Sequence, residues 1–526
     1  MSQTEQINST PTVSQGFLGW VERRGNQLPD PVFIFFWLIL VLIIISLVAG
    51  LLGMNALHPS RLNEDGSAYV ISAVSLLSPD IIQRLLVEMP TTFSHFHPLG
   101  YVLVVMLGAG VAERSGLFAS AMRAAVKIAP TKLLTPFVAL VAMMSNLAAD
   151  ASYVVLIPLA AVLYAAAGRH PIAGLAAAFA GVSGGFSANL LPGQLDALLF
   201  GITEAAAETL APAWDANIAG NWYFISAMTF IFLPIIWYVT DKIVEPRLGE
   251  FKGEDDYAKQ ITETDKPLTQ DEQRGLRNAG FTILGIIALW VFLCVGPGTP
   301  LIDEAARPEA QLTPLYRSLI AGFLIMFLAC GWVYGAAAGT VKNHRDIVNM
   351  MTEAMSDMAY YLVLAFAAAH FVALFNWSNL GLIFAIKGAA VIESANMPMP
   401  MVLSLLVLFT GLVNLFVGSA SAKWALLAPV LVPMMMLTGI SPEMTTAAYR
   451  VGDSATNIIT PLMIYFPLIL IFAQRWQKDY GLGSLTATML PYSICLLLGG
   501  LALTILWVAM GWPLGPSAPL SYRLPG

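Results

Sequence analysis

The chain has 526 residues, 57% of them hydrophobic and only 11% charged, with a mean hydropathy of +0.72. Soluble domains carry about a quarter charged residues, so the composition describes a polytopic membrane protein and excludes a string of soluble domains. A net charge of -7 argues against a nucleic-acid partner, and Cys294, Cys330 and Cys495 sit in apolar runs without a CxxC pair or a disulfide frame.

Residues 1–30 are polar, with Arg23 and Arg24 just before the first apolar run. That run, 31–54, is too long for a signal-peptide core. It is predicted to be a first transmembrane helix with its N-terminus cytoplasmic. About twenty apolar residues cross a bilayer as helix. On that ruler nine crossings are expected, at 31–54, 97–113, 171–203, 221–241, 278–297, 316–338, 358–376, 443–473 and 484–512. Amphipathic pieces at 117–129 and 379–393 extend the second and seventh along the interface. The expected fold class is an all-α polytopic membrane protein.

Two apolar stretches do not fit as crossings. Residues 133–167 and 400–437 are each broken near the middle, by Ser145 to Asp150 and by Gly418 to Ala422. Both are read as re-entrant hairpins. Arg114, Arg123, Lys127 and Lys132 precede the first, and Arg169 and His170 follow it. Basic flanks on both sides place both ends in the cytoplasm. Loop 55–96 is assigned outside. The domains then read as a cytoplasmic segment 1–30, a first transmembrane half 31–244, a cytoplasmic loop 245–277 and a second transmembrane half 278–526.

The two halves repeat. Tyr153 aligns with Trp424 (424 − 153 = 271), and Pro158 with Pro429, Gly168 with Gly439 and Pro171 with Pro442 at the same offset. Asn189 meets Asn457 (457 − 189 = 268). The copies have opposite predicted topology. Inverted repeats with broken helices in matching places point to a secondary transporter with a mid-membrane site.

Irregular backbone and charge are both costly in hydrocarbon and are tolerated where they line a protein-walled cavity. Arg450 and Asp453 are the sharpest such charges. Three apart, they share a helix face. Either Arg450 grips an anionic substrate with its planar fork while Asp453 handles a coupling cation, or the two form a structural salt bridge. Asp196, after the break at Pro192-Gly193, is a further site acid, and Asp150 another. Ser145, Asn146, Asn189 and Asn457 are either ion ligands or caps of the helix breaks. Trp424 is an aromatic platform or an interfacial belt residue, Lys423 a snorkelling lysine, and His370 a packing histidine. No metal or cofactor is expected beyond a coupling Na⁺ or H⁺. The absence of GxxxxGK[ST] argues against ATP. Two rivals are an anion channel and an intramembrane serine protease built on Gly181-Val182-Ser183-Gly184, which would need a histidine near Ser183.

GRHPIAGLAAAFAGVSGGFSAN at 168–189, GSASAKWALLAPVLVPMMML at 418–437 and AAYRVGDSATNIITP at 447–461, with VERRGNQLPDPV near the start and MLPYS at 489–493, closely resemble the AbgT family. These are bacterial inner-membrane transporters of p-aminobenzoyl-glutamate. The resemblance implies a homodimer with nine crossings and two hairpins per subunit, working as an importer of folate fragments or an exporter of sulfonamide antimetabolites. It places the substrate path at Asp196, Ser421, Trp424, Pro442, Arg450, Asp453 and Pro461. The implied ligand is an aryl carboxylate.

Overall fold

The computed structural model describes residues 31–62, 68–127, 133–148, 151–212, 214, 217–249, 267–296, 298–305, 311–460, 463 and 465–523. The 1–30 segment, most of the 245–277 loop, Asp150 and Pro461 lie outside them.

The chain begins with α1 (Pro31–Leu51), then an antiparallel hairpin of β1 (Asn55–Leu62) and β2 (Ala68–Ser72), with Asn55 opposite Ser72 and Leu57 opposite Val70. Next come α2 (Pro79–Ser94), α3 (His97–Arg114), α4 (Leu117–Lys127), α5 (Leu134–Met144) and α6 (Ala151–Ala166). Then follow α7 (Pro171–Phe179) with a π-turn (Ala180–Gly184), α8 (Gln194–Ala207), α9 (Trp222–Val239) and the short α10 (Glu245–Leu248). The second half holds α11 (Gln270–Phe292), the short α12 (Thr313–Arg317), α13 (Leu319–Ala338), α14 (His344–Asp357), α15 (Ala359–Trp377) and α16 (Leu380–Ser394). It ends with α17 (Met399–Asn414), α18 (Ala420–Leu437), α19 (Pro442–Thr456), α20 (Phe466–Trp476) and α21 (Leu482–Met510).

Among the described residues, eight helices are long and apolar enough to cross a membrane. Seven of them coincide with expected crossings; the eighth is α18, read from sequence as one arm of a hairpin. The expected crossings 171–203 and 443–473 are not single helices. The first breaks between Gly184 and Gln194, and the second between Thr456 and Phe466. Both breaks carry polar side chains, and Pro192 sits in the first, so the helical ladder is interrupted where protein can satisfy it. The chain is mostly helical, as expected, but 55–96 holds a β-hairpin and α2 where a plain loop was expected. The expected 245–277 loop ends early as well. Thr269 caps α11 and Glu272 returns to the Thr269 N–H at 2.7 Å, so the helix starts within it.

The helix order of 97–207 recurs in 359–476. In each, a long helix, a shorter helix and two further helices precede a broken pair. The outer ends of the first two arms meet. Tyr164 and Arg169 both donate to the Thr135 hydroxyl, at 2.6 and 2.8 Å, and Arg169 also pairs with Asp241 at 2.6 Å and with Glu245. The start of α5, the end of α6 and the end of α9 are therefore tied at one level. Close packing depends on small residues. A Cβ at Gly452 of α19 would lie 2.3 Å from the Val407 carbonyl of α17.

Away from the helical bundle, the N–H groups of Lys342 and Asn343 hold the Asp346 carboxyl below the usual carboxylate range, capping α14.

Candidate transport site

The two helix breaks converge. The Ser187 N–H donates to Ser454 Oγ at 3.0 Å, and the Asn457 amide reaches the Ser183 carbonyl at 3.5 Å. Around this junction α8 and α19 run side by side and share a polar seam. Gly193, in the first break, starts α8, and Asp196 Oδ2 accepts its N–H at 2.7 Å. The other carboxylate oxygen, Oδ1, accepts from Arg450 Nη2 at 2.7 Å. One acid thus caps a helix and neutralises a buried guanidinium across 254 residues of sequence. Both side chains are nearly water-free, at 3% and 7% exposure. Arg450 Nε has no hydrogen-bond partner among the described residues.

Farther along the seam, Thr203 and Thr446 share a hydrogen bond at 2.9 Å, and Trp424 Nε1 donates to Thr203 Oγ1 at 2.9 Å. The Trp424 ring stacks on Tyr449 at 4.4 Å and is fully buried. A cavity of about 20 Å³ lies between these elements, walled by Asp196, Thr203, Asn221, Glu443, Thr446 and Arg450 among others. It has room for a water and none for an aryl carboxylate.

A second buried ion pair sits one turn away. Lys423, in the first turn of α18, is completely buried and its Nζ contacts both Asp453 Oδ1 and Asn414 Oδ1. The Asn414 amide in turn donates to the Asp453 carbonyl, Thr456 Oγ1 and Asn457 Oδ1, at 2.8, 2.8 and 2.9 Å. α17 ends at Asn414 and α19 at Thr456, so two carbonyl ends point partial negative charge at the ammonium.

The AbgT putative transporter family model matches residues 16–522. The chain belongs to the AbgT family. It is 34% identical to the p-aminobenzoyl-glutamate transport protein of Escherichia coli (strain K12), over 97% of this chain and 98% of that one. Among solved structures it resembles the YdaH transporter of Alcanivorax borkumensis (43% identity, TM-score 0.84, 93% of this chain and 100% of that one). It also resembles MtrF of Neisseria gonorrhoeae, described as illuminating a class of antimetabolite efflux pumps (41% identity, TM-score 0.88, 96% and 100%).

In this AbgT chain the structure brings Asp196, Trp424, Arg450 and Asp453 into one buried region, but with different partners from those the sequence suggested. Arg450 and Asp453 do not pair with each other. Each turns to a separate helix, Arg450 to α8 and Asp453 to α18. Lys423 does not snorkel, because the end of α18 that carries it lies inside the protein. Trp424 is not an interfacial belt residue. Pro442 opens α19 as its first residue and its carbonyl accepts the Thr446 hydroxyl at 2.9 Å. Ser421 contacts Ser419 at 3.3 Å, outside the ion-pair cluster.

Of the suggested ion ligands, Asn457 joins the Asn414 network. Ser145, Asn146 and Asn189 lie at the first break instead. Ser145 donates to the Ala142 carbonyl at 2.7 Å, and the Asn146 and Asn189 amides reach the Gly185 and Met143 carbonyls at 3.3 and 3.5 Å. Ser183 points at Met463 Sδ, 3.3 Å away, while His370 Nδ1 is engaged by the Phe366 carbonyl at 2.7 Å, so Ser183 and His370 do not pair with each other. Sequence reasoning missed Asn414, Thr203 and Glu443, and misjudged Lys423. A lysine in the middle of membrane-grade sequence was the available signal.

Proposed function

We propose that this chain is an ion-coupled secondary transporter that moves p-aminobenzoyl-glutamate-like aryl carboxylates, or exports sulfonamide antimetabolites, across the bacterial inner membrane. The single observation that carries the reading is the Arg450–Asp196 pair beside a small cavity at the junction of two broken helices. A buried guanidinium held by one carboxylate is ready to exchange it for another, and the bidentate fork matches a glutamyl group. Entry of a substrate then requires α8 and α19 to part, which is an alternating-access step rather than a continuous pore.

The names of the E. coli relative and of MtrF support the two cargo classes. The matching helix order of the two halves supports nine crossings with two re-entrant hairpins in inverted repeats. The tie at Thr135, Arg169 and Asp241 supports both ends of the first hairpin lying at one face, proposed to be the cytoplasmic one, and the N-terminus is proposed to lie inside the cell as well. The unit is proposed to work as a homodimer, with Na⁺ or H⁺ as the coupling ion.

The test is uptake and efflux of labelled p-aminobenzoyl-glutamate and of a sulfonamide in proteoliposomes, under imposed Na⁺ and pH gradients separately. Saturable flux driven by one gradient is expected. Non-saturating flux indifferent to both overturns the transporter reading.

A further inference from the structure

The cavity beside Arg450 contains a charged group type that the transport reading leaves without a task. α19 carries Glu443, Thr446, Arg450 and Asp453 at steps of three, four and three, which sets all four on one face. Three have partners on other helices: Thr446 with Thr203, Arg450 with Asp196, and Asp453 with Lys423. Glu443 is 8% exposed and forms no ion pair among the described residues.

The groups that face it explain why. Among the described residues, the other charged members of the cavity wall are Asp196 from α8 and Arg450 from α19 itself, and these two are taken up with each other. The connecting segment adds Asn217 and Asn221, whose amides go to the carbonyls of Pro516 and of Glu443 itself, at 3.0 and 2.9 Å. The Glu443 side chain lies over Gly220, where Ala518 of the C-terminal tail also approaches. None of these last groups is titratable. The N–H groups of the first turn of α19 favour negative charge, but they offset only part of the cost of an ionised carboxylate without a cation partner. A carboxyl group so placed takes up a proton instead.

We propose that Glu443 is the proton carrier of this transporter, a reading that rests on alternating access through the same cavity. When the empty cavity closes, a proton from water on the side it last faced bonds to a Glu443 carboxylate oxygen. When the cavity opens to the other side, that O–H bond breaks and the proton returns to water. Closure without substrate therefore moves a proton, while Arg450 and Asp196 remain a neutral pair.

The test compares wild type with Glu443→Gln in proteoliposomes, using labelled p-aminobenzoyl-glutamate and a sulfonamide. Gln closes the cavity with no proton, so E443Q is expected to pass substrate down its own gradient yet to lose all accumulation driven by a pH gradient. Accumulation by E443Q at the wild-type level overturns the proposal. Should E443Q fail to fold, wild type alone decides. In weakly buffered detergent it must exchange protons on substrate addition, and no exchange overturns the proposal. A wild type concentrating substrate only under a Na⁺ gradient removes Glu443 from coupling while the transporter reading stands. A wild type moving neither probe under any gradient overturns both.

Discussion

Replacing Lys423 with Met strands the Asp453 carboxylate. In the native chain the two side chains are 0% and 2% exposed and in direct contact. Arg450, one turn away, is already held by Asp196. Breaking a buried ion pair by removing one partner costs roughly 3–5 kcal/mol. Met keeps most of the lysine volume, so the cavity contribution is small. Asp453→Asn is costly for the mirror reason, because it strands the ammonium. The double variant K423M/D453N removes both charges and should recover to within about 1 kcal/mol of wild type. Thermal unfolding in detergent, followed by tryptophan fluorescence and size exclusion, measures all four proteins. A double variant whose loss equals the sum of the singles would refute the reasoning, as would a K423M protein of wild-type stability.

Trp424→Ala should destabilise the protein by roughly 3–5 kcal/mol, since the ring is fully buried, stacked on Tyr449 and bonded to Thr203. Wild-type melting with selectively weakened aryl-ligand binding would instead make it a pure substrate contact. Gly452→Ala forces a Cβ against the backbone of α17 and should cost at least about 1–3 kcal/mol, read as reduced thermal stability; an unchanged melting curve contradicts the close approach. Single cysteines at Lys132 and Ala166 should both label from the cytoplasmic side in right-side-out and inverted vesicles. Labelling from opposite sides would reject the re-entrant hairpin.

Much of the helical framework is legible from hydropathy. Continuous apolar runs such as 316–338 and 484–512 give the long helices α13 and α21; α21 continues through Pro491, whose missing N–H leaves one rung of the ladder unmade. The first break is legible too, since Pro192-Gly193 is poor helix interior; the second falls later than the small polar run suggests, because Ser454 to Thr456 stay helical at the end of α19. The β-hairpin at 55–72 escapes because its strands are short and follow a hydrophobic helix without a clear alternating pattern. Within the site, the importance of Arg450 and Asp453 follows from the cost of charge in hydrocarbon, but their partners do not. Asp196 is 254 residues from Arg450, and local spacing offered only Asp453 as a possible salt-bridge partner. Lys423 was misread because a lysine near a helix end usually escapes to the interface; which end of α18 is buried is a property of the whole bundle.

The offset that pairs Tyr153 with Trp424 also pairs Ser152 with Lys423. Ser152 makes a neutral bond to the Ser145 carbonyl at 2.6 Å, where Lys423 makes an ionic one to Asp453. The fastening of α18 to α19 is therefore electrostatic and expensive to undo in a dry interior, while among the described residues Ser152 ties α6 to its own turn through a neutral hydroxyl bond. Gating strain should accordingly be released first at the 145–152 corner, with α18 and α19 swinging as one stiff block.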